Sequence, residues 1–169
     1  MITKTRHIGP LLVRGRSAPA TALRQLRELA ASDHWQTREV AATALVEIGR
    51  RHPEAVLTEA NRWARDRDAN VRRAACEGLR GIVQRDPEGV RPILERLRAD
   101  PELYVRRSVA NVFRNASRTQ PEFVLGLCAQ WAQSGETHTR WIVKASLRRL
   151  SALRAREVAR ILERLAPVA

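Results

Sequence analysis

The sequence predicts an all-α fold, a right-handed α-solenoid of stacked helix pairs, on three observations. Arg38, Arg72, Arg106 and Arg140 stand 34 residues apart. Pro19, Pro53, Pro87 and Pro121 keep the same interval, with Ala155 in the fifth place. Apolar residues repeat in step at three further registers: Leu29, Trp63, Leu97, Trp131 and Leu165; Leu45, Leu79, Phe113 and Leu147; Ile48, Ile82, Ala116 and Leu150. One period at so many registers is the signature of a repeat architecture. Composition agrees: aromatic residues make up only 4% of the chain, and alanine and leucine, strong helix formers, dominate.

Each unit resolves into two helices. The first starts at its proline, whose fixed φ and missing N–H suit a first helical turn; segments 53–65, 87–99 and 121–133 are of this kind. A short polar connection such as Asp66-Arg67-Asp68-Ala69-Asn70 follows. The second helices are predicted over 37–50, 71–84, 104–117 and 139–150. In 71–84 the apolar positions Ala74, Ala75, Leu79 and Ile82 fall on one face, with Gly78 beside them. No pair can bury such a face alone, so about four and a half pairs stack into one domain over residues 19–169. Segments 19–31 and 156–165 are expected as caps. Residues 1–18, with Gly9-Pro10 and Gly15, read as an N-terminal arm.

Charge narrows the partners. The chain of 169 residues carries a formal net charge of +13, and all but two of its 31 cations are arginine. Such a balance favours a polyanion, nucleic acid before an anionic membrane surface, and arginine suits bidentate phosphate contact. Cys76 and Cys128 are far apart and read as buried thiols, not a disulfide. His7, His34, His52 and His138 lack ligand spacing, so neither a metal site nor a cofactor is expected. No apolar run approaches membrane-spanning length. The expectation is a cytoplasmic monomer.

The cations are unevenly spread. Residues 103–121 hold Arg106, Arg107, Arg114 and Arg118 and no acid; residues 137–156 hold Arg140, Lys144, Arg148, Arg149, Arg154 and Arg156, again with no acid. First helices are mixed, with Arg91 and Glu95 four apart. Arg107, Asn111, Arg114 and Arg118 form one stripe. Shifted by one period, it gives Arg73, Glu77, Arg80 and Gln84 on one side and Trp141, Ala145, Arg148 and Ala152 on the other. A groove of this kind suits the phosphates of a duplex. Arg38, Arg72, Arg106 and Arg140 recur in every unit and read as a structural ladder. Trp63 and Trp131 share a core register; Trp141 shares one with Arg73 and Arg107 and is a candidate contact, while Trp35 has no place in the pattern. Glu77 is either a charge partner for Arg73 and Arg80 or a catalytic acid.

The segment Asp68-x-x-Val71-Arg72-Arg73-Ala74-Ala75 resembles the second helix of a HEAT repeat, a helix that lines the concave face in such stacks. With Tyr104-Val-Arg-Arg-Ser-Val-Ala-Asn111 after Asp100-Pro101, and Thr139-Arg-Trp-Ile-Val-Lys-Ala-Ser-Leu-Arg148, the chain resembles the DNA alkylation repair family, the HEAT-like alkylpurine DNA glycosylases, and most nearly its AlkC branch. The resemblance covers about residues 31–150. It implies a concave surface for double-stranded DNA, alkylated or not, and removal of cationic alkylated purines with carboxylates and aromatic rings steadying the positive charge. It matches Glu77 to a site glutamate. Two departures touch that chemistry. The family's Pro-rich loop ending in Trp is missing after Glu77-Gly78-Leu79-Arg80, and Asn115 stands where the family carries a catalytic aspartate. An amide cannot supply the negative charge that such a centre needs.

The expectation is therefore a DNA-binding relative, non-catalytic or catalytically altered. Its DNA contacts would be Arg73, Arg80, Arg107, Asn111, Arg114, Arg118, Trp141, Lys144 and Arg148, with Glu77 the one catalytic candidate. The alternatives are an active alkylpurine glycosylase of base excision repair and a HEAT scaffold holding an acidic protein.

Overall fold

A computed structural model describes residues 5–165, with side chains from residue 9 onward. Among the described residues there are ten helices and no strand: α1 (Thr5–Ser17), α2 (Pro19–Ala30), α3 (Trp35–Arg51), α4 (Pro53–Trp63), α5 (Ala69–Leu79), α6 (Pro87–Leu97), α7 (Leu103–Ala116), α8 (Pro121–Trp131), α9 (Thr137–Leu147) and α10 (Ala155–Glu163). The prolines open α2, α4, α6 and α8, and Ala155 opens α10. Carboxylates cap several starts: Asp68 accepts from the Asn70 amide, Asp86 from Gly89, and Glu136 from His138 and Thr139.

The helices form two rows. The second helices α3, α5, α7 and α9 lie side by side in close contact, while α2, α4 and α6 touch one another more sparsely. Small residues allow the close row. A side-chain carbon at Gly49 of α3 would stand 3.6 Å from the Gly78 carbonyl of α5. A row packed closely on one side and loosely on the other curves, with the close row inside. The registers read from the sequence form the core between the rows: Leu45, Leu79, Phe113 and Leu147 are buried, as are Ile48, Ile82, Ala116 and Leu150. Trp63 and Trp131 are buried as well, and Trp131 Nε1 donates to Glu95 Oε1 at 3.0 Å. Leu29, next to the first pair's edge, is half-buried.

Two features differ from the sequence expectation. Within the segment read as an arm, helix α1 packs on α2 and α3 and extends the inner row by one helix. It lies 34 residues before α3, so it occupies the place of a second helix. At its contact with α3, a side-chain carbon at Gly15 would stand 2.7 Å from Ile48, so glycine sets this close approach. Residues 1–4, and residues 166–169 at the far end, lie outside the described residues. The second difference is in helix length. The expected helix over 71–84 becomes α5 followed by turns, and the one over 139–150 ends its regular part at Leu147. Gly78 and Gly81 weaken α5 at that point, glycine being a poor helix former.

Candidate nucleic-acid interface

The inner row repeats the same surface positions on successive helices. Glu39, Arg73, Arg107 and Trp141 share one register; Thr43, Glu77, Asn111 and Ala145 a second; Glu47, Gly81, Asn115 and Arg149 a third. Equivalent backbone positions thus carry different charges along the row.

Between α3 and α5 lies a cleft of about 490 Å³, bordered by Glu39, Glu47, Glu77, Arg50, Arg80 and Asn115. Glu77 is 5% exposed. Its Oε1 accepts from Ser108 Oγ at 3.0 Å and its Oε2 from Arg80 Nη1 at 3.1 Å. Arg73 Nη2 lies 3.8 Å from Glu77 and 3.7 Å from Glu39. The carboxylate's charge is therefore met by two guanidinium groups and both its oxygens are occupied. Asn115 reaches the same cleft, and its Nδ2 donates to the Asn111 carbonyl one turn earlier at 2.8 Å. An aspartate in that place could not make this bond. Glu39 and Glu47 add two acids that the three-helix stripe omits, because α3 contributes them; the 34-residue shift back from Arg73 and Gly81 points to both. Ser108 also escaped the sequence reading, although it is the polar exception in a register otherwise held by Val40, Ala74 and Ile142.

Arg73 departs from the expectation of a ligand-facing side chain. It is buried, and its guanidinium sits 4.5 Å from the ring centroid of Tyr104. Its charge is spent inside the protein.

On α7 and α9 the arrangement is the opposite. Arg107, Arg118, Lys144 and Arg148 are exposed. None of their side chains hydrogen-bonds or pairs with an acid among the described residues. Arg114 donates to Asn111 Oδ1, and both are half-buried. Trp141 is 36% exposed, with the Arg106 guanidinium 5.8 Å from its ring. Arg80, on the α5 side, is exposed but tied to Glu77. The site thus brings together Glu77, Arg80 and Asn115 at one cleft, and places Arg107, Arg118, Lys144 and Arg148 along the surface beyond it.

The arginine ladder has its own geometry. Arg38 donates to the carbonyls of Ser32 and Asp33, Arg72 to those of Asp66 and Arg67, and Arg106 to those of Asp100 and Pro101. Each closes the loop ahead of its helix at the same two offsets. Arg72 also reaches Asp100 of the next unit at 2.6 Å, and that hydrogen bond raises the arginine pKa above its ordinary value. Arg140 donates instead to the Leu165 carbonyl. Burial pushes both thiols up, Cys128 to about 12, so both stay protonated.

No helix among the described residues is long and apolar enough to cross a membrane. Comparison with curated proteins gives no match. Among solved structures, the chain is similar to the Pseudomonas fluorescens alkylpurine DNA glycosylase AlkC bound to DNA containing an abasic site analog, with 28% identity and a TM-score of 0.76 over 90% of this chain. The chain spans 43% of that protein's length. It is similar to AlkD2 of Streptococcus mutans, with 27% identity and a TM-score of 0.63, over 79% of this chain and 67% of the other. It is also similar to smu.31 of Streptococcus mutans UA159, with 25% identity and a TM-score of 0.65, over 79% and 70%. The structure is therefore alkylpurine-DNA-glycosylase-like in its helical framework. A family model of HEAT repeats matches residues 23–114, and with its 34-residue helix pairs the chain belongs to the HEAT-repeat proteins.

Proposed function

We propose that the chain binds DNA through its inner row of helices and does so without efficient base excision. The observation that carries this reading is the α7–α9 surface, where Arg107, Arg118, Lys144 and Arg148 stand exposed and unpaired over two acid-free stretches. Unpaired cations on one curved face meet a phosphate backbone and release its counterions. The likeness to AlkC, which was solved bound to DNA, supports the partner. Asn115 supports the loss of chemistry: its amide carries no charge and its Nδ2 is committed to its own helix. Glu77 is held by Ser108 and Arg80, as suits a structural partner for the arginines.

A second reading, an active glycosylase, draws on one observation, that Glu77 and Asn115 border the same cleft. Single-turnover release of methylated purines from alkylated duplex separates the two. The expected result is no release by the parent protein, alongside duplex binding at low salt. Release that disappears in Glu77→Gln would establish the enzyme instead. Absence of duplex binding, or binding indifferent to Arg107→Ala plus Arg148→Ala, would contradict both.

A further inference from the structure

The two rims of the inner row differ in chemistry. The chain has seven aromatic rings of Phe, Tyr and Trp type: four Trp, one Tyr and two Phe. Four of them, Trp63, Phe113, Phe123 and Trp131, are buried. The other three are exposed, Trp35 at 56%, Tyr104 at 41% and Trp141 at 36%. Trp35 and Tyr104 stand at the starts of the inner helices α3 and α7, and Trp141 lies one turn further in, the fifth residue of α9, in the register of Arg107. Leu103, another exposed apolar residue, shares the register of Trp35. At the other rim, where the inner helices end, Arg51, Arg118, Arg148 and Arg149 are exposed, and their side chains have no partner among the described residues. Helix C-termini favour cations in any case, but phosphate remains the ligand such a row can bind.

We infer that the inner face takes a nucleic-acid strand with unpaired bases, its phosphates along the cationic rim and its bases stacked at the aromatic rim. This rests on the DNA-binding reading and narrows it. A closed duplex hides the faces of its bases and offers phosphates to both rims of a groove. A strand with exposed bases has phosphate on one side and π-faces on the other, which matches one basic and one aromatic rim. Tyr104 and Trp141 each meet a guanidinium. The guanidinium of Arg73 lies 4.5 Å from the Tyr104 centroid and that of Arg106 5.8 Å from Trp141, cation–π contacts that leave each ring partly open. Neighbouring helices about 8–10 Å apart put Trp35 roughly 24–30 Å along the row from Trp141, room for several nucleotides.

The test is fluorescence anisotropy at one low salt concentration with three labelled probes: a single strand, its matched duplex, and that duplex with a short gap of unpaired nucleotides. The single strand and the gapped duplex are expected to bind at least about tenfold more tightly than the matched duplex. Trp35→Ala and Tyr104→Ala are each expected to weaken the single strand about fivefold or more, leaving the matched duplex unmoved, with Tyr104→Phe restoring parent binding. Thermal unfolding of each variant checks that the fold is intact. Equal binding of all three probes, indifferent to the ring variants but lost in Arg107→Ala plus Arg148→Ala, overturns this inference and leaves DNA binding standing. Binding of none of the probes overturns both.

Discussion

The two halves of the inner row use the same backbone positions for opposite purposes. On α3 and α5 four arginines are paired with acids: Arg50 with Glu47, Arg73 with Glu39 and Glu77, Arg80 with Glu77, and Arg72 with Asp100. Arg38 bonds backbone carbonyls, and Arg51 at the end of α3 has no acid beside it among the described residues. On α7 and α9 the cations of the equivalent surface registers have no carboxylate beside them. On the outer row Arg62 stands beside Glu59 and Arg91 beside Glu88, while the exposed Arg96 of α6 has no acid beside it among the described residues. Paired charge belongs to the fold. Unpaired charge on one curved surface is a cost that the chain carries for a partner, since like charges repel and destabilise the compact state. Substitutions in the first half should therefore change stability, and those in the second half should change binding.

The largest expected effect is on binding. Replacing Arg107, Arg118, Lys144 and Arg148 together by alanine should weaken duplex binding about a hundredfold or more at low salt in an anisotropy titration. Thermal stability should stay the same or rise. Next comes Arg72→Ala, which leaves Asp100, 6% exposed, without its counter-charge and with only the Glu102 amide as donor. A loss of about 3 kcal/mol is expected in urea unfolding, with duplex affinity near that of the parent protein. A smaller loss, about 1–2 kcal/mol, is expected for Glu77→Gln, because the amide still accepts from Ser108 but no longer carries charge for Arg80 and Arg73; binding should tighten slightly as an acid leaves the face.

The smallest effect is at the start of α9. Burial opposes the Glu136 charge, but the amides of His138 and Thr139 outweigh it and hold the carboxyl below the ordinary carboxylate range. A depressed folded pKa gives stability that is present above the unfolded value and lost as pH falls through the folded one. Glu136→Ala should cost about 1 kcal/mol at neutral pH. Urea unfolding as pH falls should then show the gap between parent and variant closing below the ordinary carboxylate pKa.

Most of the fold was legible because a repeat prints its core four times. The proline starts, the Leu45–Leu147 register and the ladder arginines are each visible as a spacing, and the structure gives each one a contact. Helix α1 was not legible. Leu11 stands in the register of Leu45 and Gly15 in that of Gly49, but Pro10 inside the helix and two glycines read as breaks in a helix, and its place is set by packing on α2 and α3. The site was legible in part. The acid-free stretches of α7 and α9 could be read directly, but the fate of Arg73 could not. Its burial depends on Tyr104 and Glu39, which come from neighbouring helices. Ser108 needed the same cross-helix view, since its meaning lies in reaching Glu77 one unit back.

The central claim is that the unpaired half of the inner row holds a phosphate backbone, and the slope of log affinity against log salt tests it most directly. Each phosphate contact contributes roughly −0.9 to that slope on a duplex. Substituting Arg107, Arg118, Lys144 and Arg148 should flatten it by about three to four, whereas Arg50→Ala with Arg80→Ala should leave it nearly unchanged. Equal flattening by both sets, or a parent protein whose duplex binding ignores salt, would contradict the account.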